Sequence, residues 1–229
     1  MVSSSERGPR GMLIVLEGLD KAGKTTQCAR LAQNLTAHGS NVKTTRFPNR
    51  ATTIGQMINR YLEGRTEQED HAIHLLFTAN RWEAAEQIKA WIADGHIVII
   101  DRYYYSGCVY SAAKQNKDLD LNWARQPEVG LPRPDFCIFL DISAEDAAKR
   151  GGYGGEKYEN KSMQSRIREL YKQLLESPDG DDFVVINAGK TTEDVEKEML
   201  NAVIERMQRN NFLSPLRQVL PWPSLDVRS

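Results

Sequence analysis

The sequence predicts an α/β fold in which a parallel sheet is flanked by helices. Three observations predict it. Short apolar runs alternate with longer stretches of helical spacing. One run, "IVIID" (97–101), is apolar up to its last residue, as befits a strand buried within a sheet covered on both faces. The first run passes directly into a glycine-rich turn that opens a helix.

Taken in order, "MLIVLEG" (12–18) is the first strand and "TTQCARLAQNLTAHG" (25–39) a helix stopped by Gly39. "VKTTRF" (42–47) is the second strand, ended by Pro48. Helical spacing covers 53–62 and 68–94, the latter closing at Asp94 and Gly95. "IVIID" is the third strand; 102–126 reads as mostly helical, and "LPRPD" (131–135) as a rigid connector. "FCIFLD" (136–141) is the fourth strand, after which Ser143 caps a helix, with Asp146 three residues on, close to a capping box. "GGYGGEKYEN" (151–160) is glycine-rich and exposed. Helix over 161–176, strand "FVVIN" (183–187) and helix over 191–209 complete a five-stranded plan. The last part, "FLSPLRQVLPWPSLDVRS", has three prolines and no periodicity, and reads as a tail. The expected organisation is a flexible start over 1–11, one domain over 12–209, and a tail over 210–229.

Composition narrows the partners. Thirty basic against 31 acidic residues leave a formal charge of −1, so nothing calls for a nucleic acid, and an anionic ligand must be held by local clustering. Three scattered cysteines and four histidines form no disulfide or zinc pattern, which suits a reducing interior. "MVSSSERGPRG" lacks an apolar signal core, and no run is long enough to cross a bilayer. A soluble, cytoplasmic protein is expected, with entry into a nucleus left open.

"GLDKAGKT" (18–25) fits G-x-x-x-x-G-K-[ST] at every fixed position, between a strand and a helix. Gly18 and Gly23 let the backbone of Leu19, Asp20, Lys21 and Ala22 curl with its N–H groups inward around an anion. The helix that starts near Lys24 adds partial positive charge. Lys24 would reach the terminal phosphates of ATP, Thr25 would ligate magnesium, and Thr26 completes the loop. The expectation is therefore a P-loop NTPase fold with a nucleoside triphosphate as donor. A GTPase should also carry N-K-x-D. "NKDL" (116–119) begins like it but has Leu119 in the place of the second Asp and lies in a stretch of helical spacing. A nucleotide-sensing switch that transfers nothing stays as the second hypothesis.

The acceptor is indicated by arginines at strand ends, where ligands of an open α/β sheet gather. Arg46 ends the second strand, Asp101 and Arg102 the third, and Arg81 follows Phe77 by four residues on one helical face. Together they suit an acceptor that is already phosphorylated, because guanidinium groups grip phosphate oxygens two at a time. Asp101 is the preferred acid near magnesium, with Asp141 as its rival.

With these motifs in view, the chain resembles the thymidylate kinase family of the eukaryotic and poxvirus type. The resemblance is carried by "LIVLEGLDKAGKTTQ", "RFPNR", "HLLFTANRWE", "IIDRYYYSG", "QPEVGLPRPD" and "KRGGYGGEKYEN", in the family's order, over roughly 12–165. It implies a P-loop kinase with a five-stranded parallel sheet, transfer of the ATP γ-phosphoryl to dTMP, and a homodimer built through helices. The stretch 68–94, with Ile73, Leu76, Trp82 and Ile88, is a candidate for part of that surface, although most of these residues equally suit the core.

By the same resemblance, Asp20 matches the carboxylate that contacts the deoxyribose 3′-hydroxyl, Phe77 the ring that stacks on thymine, and Arg81 the residue that reads the base edge. Arg46 and Arg102 match the acceptor-phosphate and transfer-site arginines. Gly107 matches a pocket glycine, and Tyr110 an aromatic against the sugar's 2′ position. Tyr158 and Gln164 match residues on the lid side, the lid being expected at about 150–160 and closing over ATP. The sequence departs from many relatives at Lys21, where they carry Arg, and lacks the paired lid arginines of bacterial members, offering Arg150 and Lys157. In such a chain the P-loop residue Lys21 supplies the basic group. The tail from about 211 matches nothing in the family pattern.

Overall fold

The computed structural model describes residues 8–150, 157–158 and 160–222. Most of the expected lid, 151–156 and 159, lies outside the described residues, as do 1–7 and 223–229.

Five strands form one parallel sheet: β1 (Leu13–Gly18), β2 (Val42–Arg46), β3 (Ile97–Asp101), β4 (Phe136–Asp141) and β5 (Phe183–Asn187), in the order β2-β3-β1-β4-β5. Burial follows this order. The central β1 and the neighbouring β3 are buried at every residue, whereas the edge strands β2 and β5 alternate with exposed positions. Leu16 is level with Asp101 and Gly18 with Leu140, so β1 releases the glycine-rich turn directly beside the end of β3.

Eight helices connect and cover the described strands: α1 (Lys24–Ala37), α2 (Thr53–Leu62), α3 (Asp70–Ala93), α4 (Tyr104–Ala112), α5 (Leu121–Arg125), α6 (Ala144–Lys149), α7 (Lys161–Leu175) and α8 (Thr192–Arg209). Side chains fix several starts. Ser143 accepts from the Asp146 amide at 2.9 Å, as its spacing predicts, and Thr191 repeats the arrangement with Asp194 at 3.1 Å. The apolar faces of α1, α3, α4, α7 and α8 meet the sheet in one core that includes Leu31, Ile88, Val109, Ile167 and Met199. The three cysteines are free and buried, Cys28 and Cys137 within this core. Among the described residues, no helix is long and apolar enough to cross a membrane.

The stretch 102–126 is less helical than its spacing predicts. Helix α4 ends at Ala112, and 113–120 is a connector of turns before α5. Local bonds compete with the helix here: Asn116 accepts from the Asp118 amide at 3.1 Å, and Asp120 caps α5 by accepting from Trp123 at 2.8 Å. "NKDL" therefore lies in this connector rather than in a helix, with Leu119 wholly buried.

Both ends of the described chain are tied down. Arg10 holds Asp135 with two bonds of 2.7 and 2.8 Å and donates to the Ser214 carbonyl at 2.8 Å. The segment 210–222 is docked without periodicity, because its bonds come from the connector at 130–133. Gly130 donates to Val219, Val219 to Leu131, and Arg133 to Arg217, at 2.8–2.9 Å. Val219 is buried, and the Trp222 ring lies 4.8 Å from the Arg125 guanidinium.

Candidate active site

At the carboxyl edge of the sheet, β1 ends in Gly18 with φ of +143°, where a Cβ would stand 2.4 Å from the Leu140 carbonyl oxygen. Only glycine fits there. The turn runs through 19–23 into α1, whose cap residue Gly23 offers no side chain. Nor is there an acidic residue in the first turn of α1, so its leading amides are left to an outside acceptor.

Lys24 is buried under this turn, its Nζ donating to the carbonyls of Gly18 at 3.0 Å and Leu19 at 2.7 Å. Burial, and next the nearby Arg102, lower its pKa to about 7. Thr25 donates its hydroxyl to Asp101 Oδ2 at 2.6 Å, and Arg46 Nη2 stands 3.8 Å from the same oxygen. The rival Asp141 is engaged elsewhere, with Arg168 at 2.7 Å. Leu19 and Ala22 are buried, whereas Thr26 is exposed. Lys21 adopts φ of +65°, and its carbonyl accepts from Arg150 at 3.0 Å.

Asp20 links the turn to the rest of the site. Its Oδ1 is ion-paired with Arg102 and accepts from the Tyr110 hydroxyl at 2.9 Å, while Oδ2 accepts from Gln164 at 2.6 Å. Burial alone would raise its pKa, but Arg102, Lys24 and these two hydrogen bonds hold the carboxyl below its ordinary value. Arg102 has φ of +66° and also donates to Ser106 and Tyr110, each at 3.2 Å. Beneath it Glu17, wholly buried, accepts from the Tyr103 amide at 2.9 Å, the Ser106 amide at 3.1 Å, the Tyr171 hydroxyl at 2.9 Å and the Ser106 hydroxyl. That network fastens the start of α4 to β1.

Beyond Asp20 opens a cleft of about 830 Å³, solvent included, lined among others by Asp20, Arg46, Phe77, Arg81, Arg102, Gly107, Tyr110 and Tyr158. Phe77 and Arg81, one turn apart on α3, both reach it. Arg81 is held by Glu128, its Nε donating at 2.9 Å and its Nη2 to the other carboxylate oxygen; Thr78 donates to that second oxygen at 2.6 Å. At Gly107 a Cβ would stand 2.5 Å from Arg81 Nη2, so any larger residue would push the guanidinium from this position. The Tyr158 ring lies 5.8 Å from Tyr110 and 6.1 Å from Tyr61.

The structure thus gathers Asp20, Arg102, Tyr110 and Gln164 into one network, with Arg46, Phe77, Arg81, Gly107 and Tyr158 around the adjoining cleft. Lys21 is not among the cleft's lining residues. Sequence reasoning passed over Glu17, Ser106, Glu128, Phe47, Pro48 and Arg50. Glu17 carries a readable signal, a charge near the end of the apolar run "LIVLEG". Glu128 carries none, because its partner Arg81 is 47 residues away.

The dimer candidates on α3 separate. Ile73 and Ile88 are wholly buried, Leu76 is half-buried against the small cluster of Ile58, Tyr61 and Leu62, and Trp82 is 39 % exposed; outside the four candidates, Leu75 of α3 and Met57 of α2 are also exposed. The first two face the core, which removes them from any outer surface.

A family model described as "Thymidylate kinase" matches residues 16–199. A thymidylate kinase of Arabidopsis thaliana is 44% identical over 216 residues, covering 94% of this chain and 79% of that protein. The thymidylate kinase of Homo sapiens is 43% identical over 190 residues, covering 83% of this chain and 88% of its own length. Among solved structures, thymidylate kinase from Candida albicans superposes with a TM-score of 0.84 at 32% identity, covering 93% of this chain and all of that one.

Proposed function

We infer the work of the individual residues from one premise: the chain belongs to the thymidylate kinase family. It is a nucleoside monophosphate kinase on a P-loop NTPase fold, passing the γ-phosphoryl of ATP to dTMP to give ADP and dTDP. One observation supports the residue roles above others. The anion-binding turn of Lys24 and the arginine-edged cleft of Phe77 and Arg81 meet at a single ion pair, Asp20 with Arg102.

In this reading the amides from Leu19 to Thr26 and the Lys24 ammonium hold the ATP phosphates, and Lys21 stands beside the transferring group. The acceptor's 5′-phosphate lies between Arg46 and Arg102, which places its oxygen in line with the donor; transfer of this kind depends on positioning and charge stabilisation. Asp20, kept ionised by its neighbours, accepts a hydrogen bond from the 3′-hydroxyl. Tyr110, bonded to Asp20, stands against the 2′ position and leaves a ribose hydroxyl no room. Phe77 stacks on the thymine ring, Arg81 donates to its edge, Gly107 leaves room for the Arg81 guanidinium, and Tyr158 and Gln164 close the sugar side.

Magnesium fits the residues present. Thr25 and Asp101 bring two oxygens within 2.6 Å at the mouth of the turn, and the described residues hold no cluster of three or more His, Cys, Asp or Glu side chains. That suits an ion that keeps waters and takes its other ligands from phosphates. When bound, it neutralises charge on the phosphate oxygens. The exposed Leu75, Trp82 and Met57 are candidates for the helical surface of a homodimer, and three free cysteines suit a reducing compartment such as the cytoplasm.

Phosphorus NMR of protein, Mg·ATP and dTMP tests this function: dTDP and ADP resonances should grow together, and ADP without dTDP would contradict it. Phe77→Ala is expected to raise the KM for dTMP by roughly tenfold, from about 1–2 kcal/mol of lost stacking. An unchanged KM would mean that the ring only packs against α2.

Lys24 makes nucleotide binding pH-dependent. With a pKa near 7 in the free protein, its amine is largely neutral at pH 8, and phosphate charge beside it raises that value. A raised pKa means that the complex holds more protons than the free protein. ATP binding at pH 8 should therefore take up a fraction of a proton, with less uptake at pH 6, and affinity should weaken as pH rises through 7. Calorimetry in buffers of different ionisation enthalpy reads the uptake, which Lys24→Ala should lose.

A further inference from the structure

The carboxyl-terminal segment lies beyond the last motif of the family pattern, yet its bonds converge on one turn of the acceptor site. Glu128, which grips Arg81, sits in the short turn Gln126–Glu128, between α5 and the connector that leads to β4. A turn of three residues makes too little structure to fix its own position. It closes only with Val129 donating to the Gln126 carbonyl at 3.2 Å and Leu131 to that of Glu128 at 3.1 Å. Its place is set by the chain on either side and by what packs there.

The segment 217–222 holds both sides. Before the turn, Arg125 donates its Nε to the Leu220 carbonyl at 2.8 Å, and the Trp222 ring covers the same guanidinium at 4.8 Å. After it, Gly130 donates to the Val219 carbonyl and the Val219 amide to the Leu131 carbonyl, both at 2.9 Å, with Pro132 paired antiparallel to Gln218. Two buried acids anchor the arrangement. Asp179 pairs with Arg125 and Arg133, and Asp182 accepts from Arg133 at 2.7 Å and from Arg217 at 2.8 Å. From the opposite side the turn meets α3, where Thr78 and Arg81 donate to Glu128 and Trp82 Nε1 donates to the Pro127 carbonyl at 3.0 Å.

These contacts gather where β4 and β5 begin, whereas the glycine-rich turn leaves the far end of β1. Loosening the segment would therefore displace Glu128 and Arg81 while the groups around Lys24 keep their places. We propose that 217–222 is a positioning element for the acceptor: it clamps the turn Gln126–Glu128 from both sides, and through Glu128 it holds the Arg81 guanidinium at the thymine edge. The proposal rests on the placement of the base beside Arg81 given above. Docking and binding are then linked, and the link is reciprocal. Because dTMP needs Arg81 in place, it stabilises the docked segment by the same factor by which docking strengthens dTMP binding.

Hydrogen exchange in the wild-type chain reads the link directly. dTMP should slow exchange of the Gly130 and Val219 amides by about tenfold, while Mg·ADP alone should leave them within about twofold. Steady-state kinetics on full-length variants reads the consequence. Val219→Asp, which puts a carboxylate at a wholly buried position, should raise the KM for dTMP by about tenfold, with kcat and the KM for Mg·ATP within about twofold. Trp222→Ala should give a smaller rise in the same parameter, and Trp222→Phe, which keeps a ring over Arg125, should restore it. A lowered thermal midpoint with an unchanged dTMP KM, or equal protection by dTMP and Mg·ADP, would make the segment a general brace and overturn the proposal while leaving the kinase function standing. Should Val219→Asp fail to fold, Trp222→Ala and the wild-type exchange decide alone. A wild type that does not bind dTMP would instead overturn the functional reading, and the proposal with it.

Discussion

Lys24→Ala is expected to lower kcat for dTMP phosphorylation by about a thousandfold, the scale on which one preorganised charge-stabilising donor acts. Its thermal midpoint should stay within about 3 °C of the wild type, the shift that corresponds to about 1 kcal/mol in a domain of this size. The two expectations belong together. In the free protein, the Lys24 ammonium is satisfied by two loop carbonyls at 3.0 and 2.7 Å, yet its lowered pKa shows that the fold tolerates this charge at a cost. Removing it relieves that cost, which offsets the packing lost with the aliphatic stem. What disappears is the ammonium seated under the turn, where negative charge spreads over the transferring group. Steady-state kinetics with calorimetric unfolding checks both parts. Near-normal turnover would remove the P-loop lysine from the mechanism, and a collapsed thermal transition would make its role structural.

Glu128→Ala should produce the largest loss of stability. Arg81 and Glu128 are both essentially excluded from solvent and hold each other through two hydrogen bonds, with Thr78 on the same carboxylate. Deleting one member of such a pair leaves an uncompensated buried charge, at a cost of about 3–5 kcal/mol. For a chain of this size that corresponds to a midpoint lower by roughly 6–20 °C. Glu128→Gln keeps the acceptor oxygen for Arg81 and should lose less. Because Glu128 orients the guanidinium at the cleft, the dTMP KM of both variants should rise more than kcat falls. Differential scanning calorimetry beside kinetics separates the effects, and an unshifted midpoint in Glu128→Ala would show that the pair is not holding α3 to the 126–128 turn.

The sheet was legible because its strands are written locally. "IVIID", "FCIFLD" and "FVVIN" are strands over the residues expected, and the glycine-rich turn lies between β1 and α1 as its motif requires. Misreadings fell where a distant or side-chain partner decides the outcome. The helical spacing after Arg102 is interrupted because Asn116 and Asp120 bond to nearby amides. The docking of Val219 and Trp222 depends on the connector near residue 131 and on Arg125, which no local pattern announces. At the site, Phe77 and Arg81 were visible by helical spacing, but the partners that orient them were not. Glu128 acts through contacts 47 to 50 residues apart, with Arg81 and Thr78.

The central claim is that the acceptor arrives already phosphorylated, its phosphate held between Arg46 and Arg102 while the base is held by Phe77 and Arg81. An ADP-release assay with Mg·ATP, run side by side on dTMP and thymidine, tests it most directly. The account predicts steady ADP release with dTMP and only the background rate with thymidine; release with thymidine at a rate equal to or above that with dTMP would contradict it.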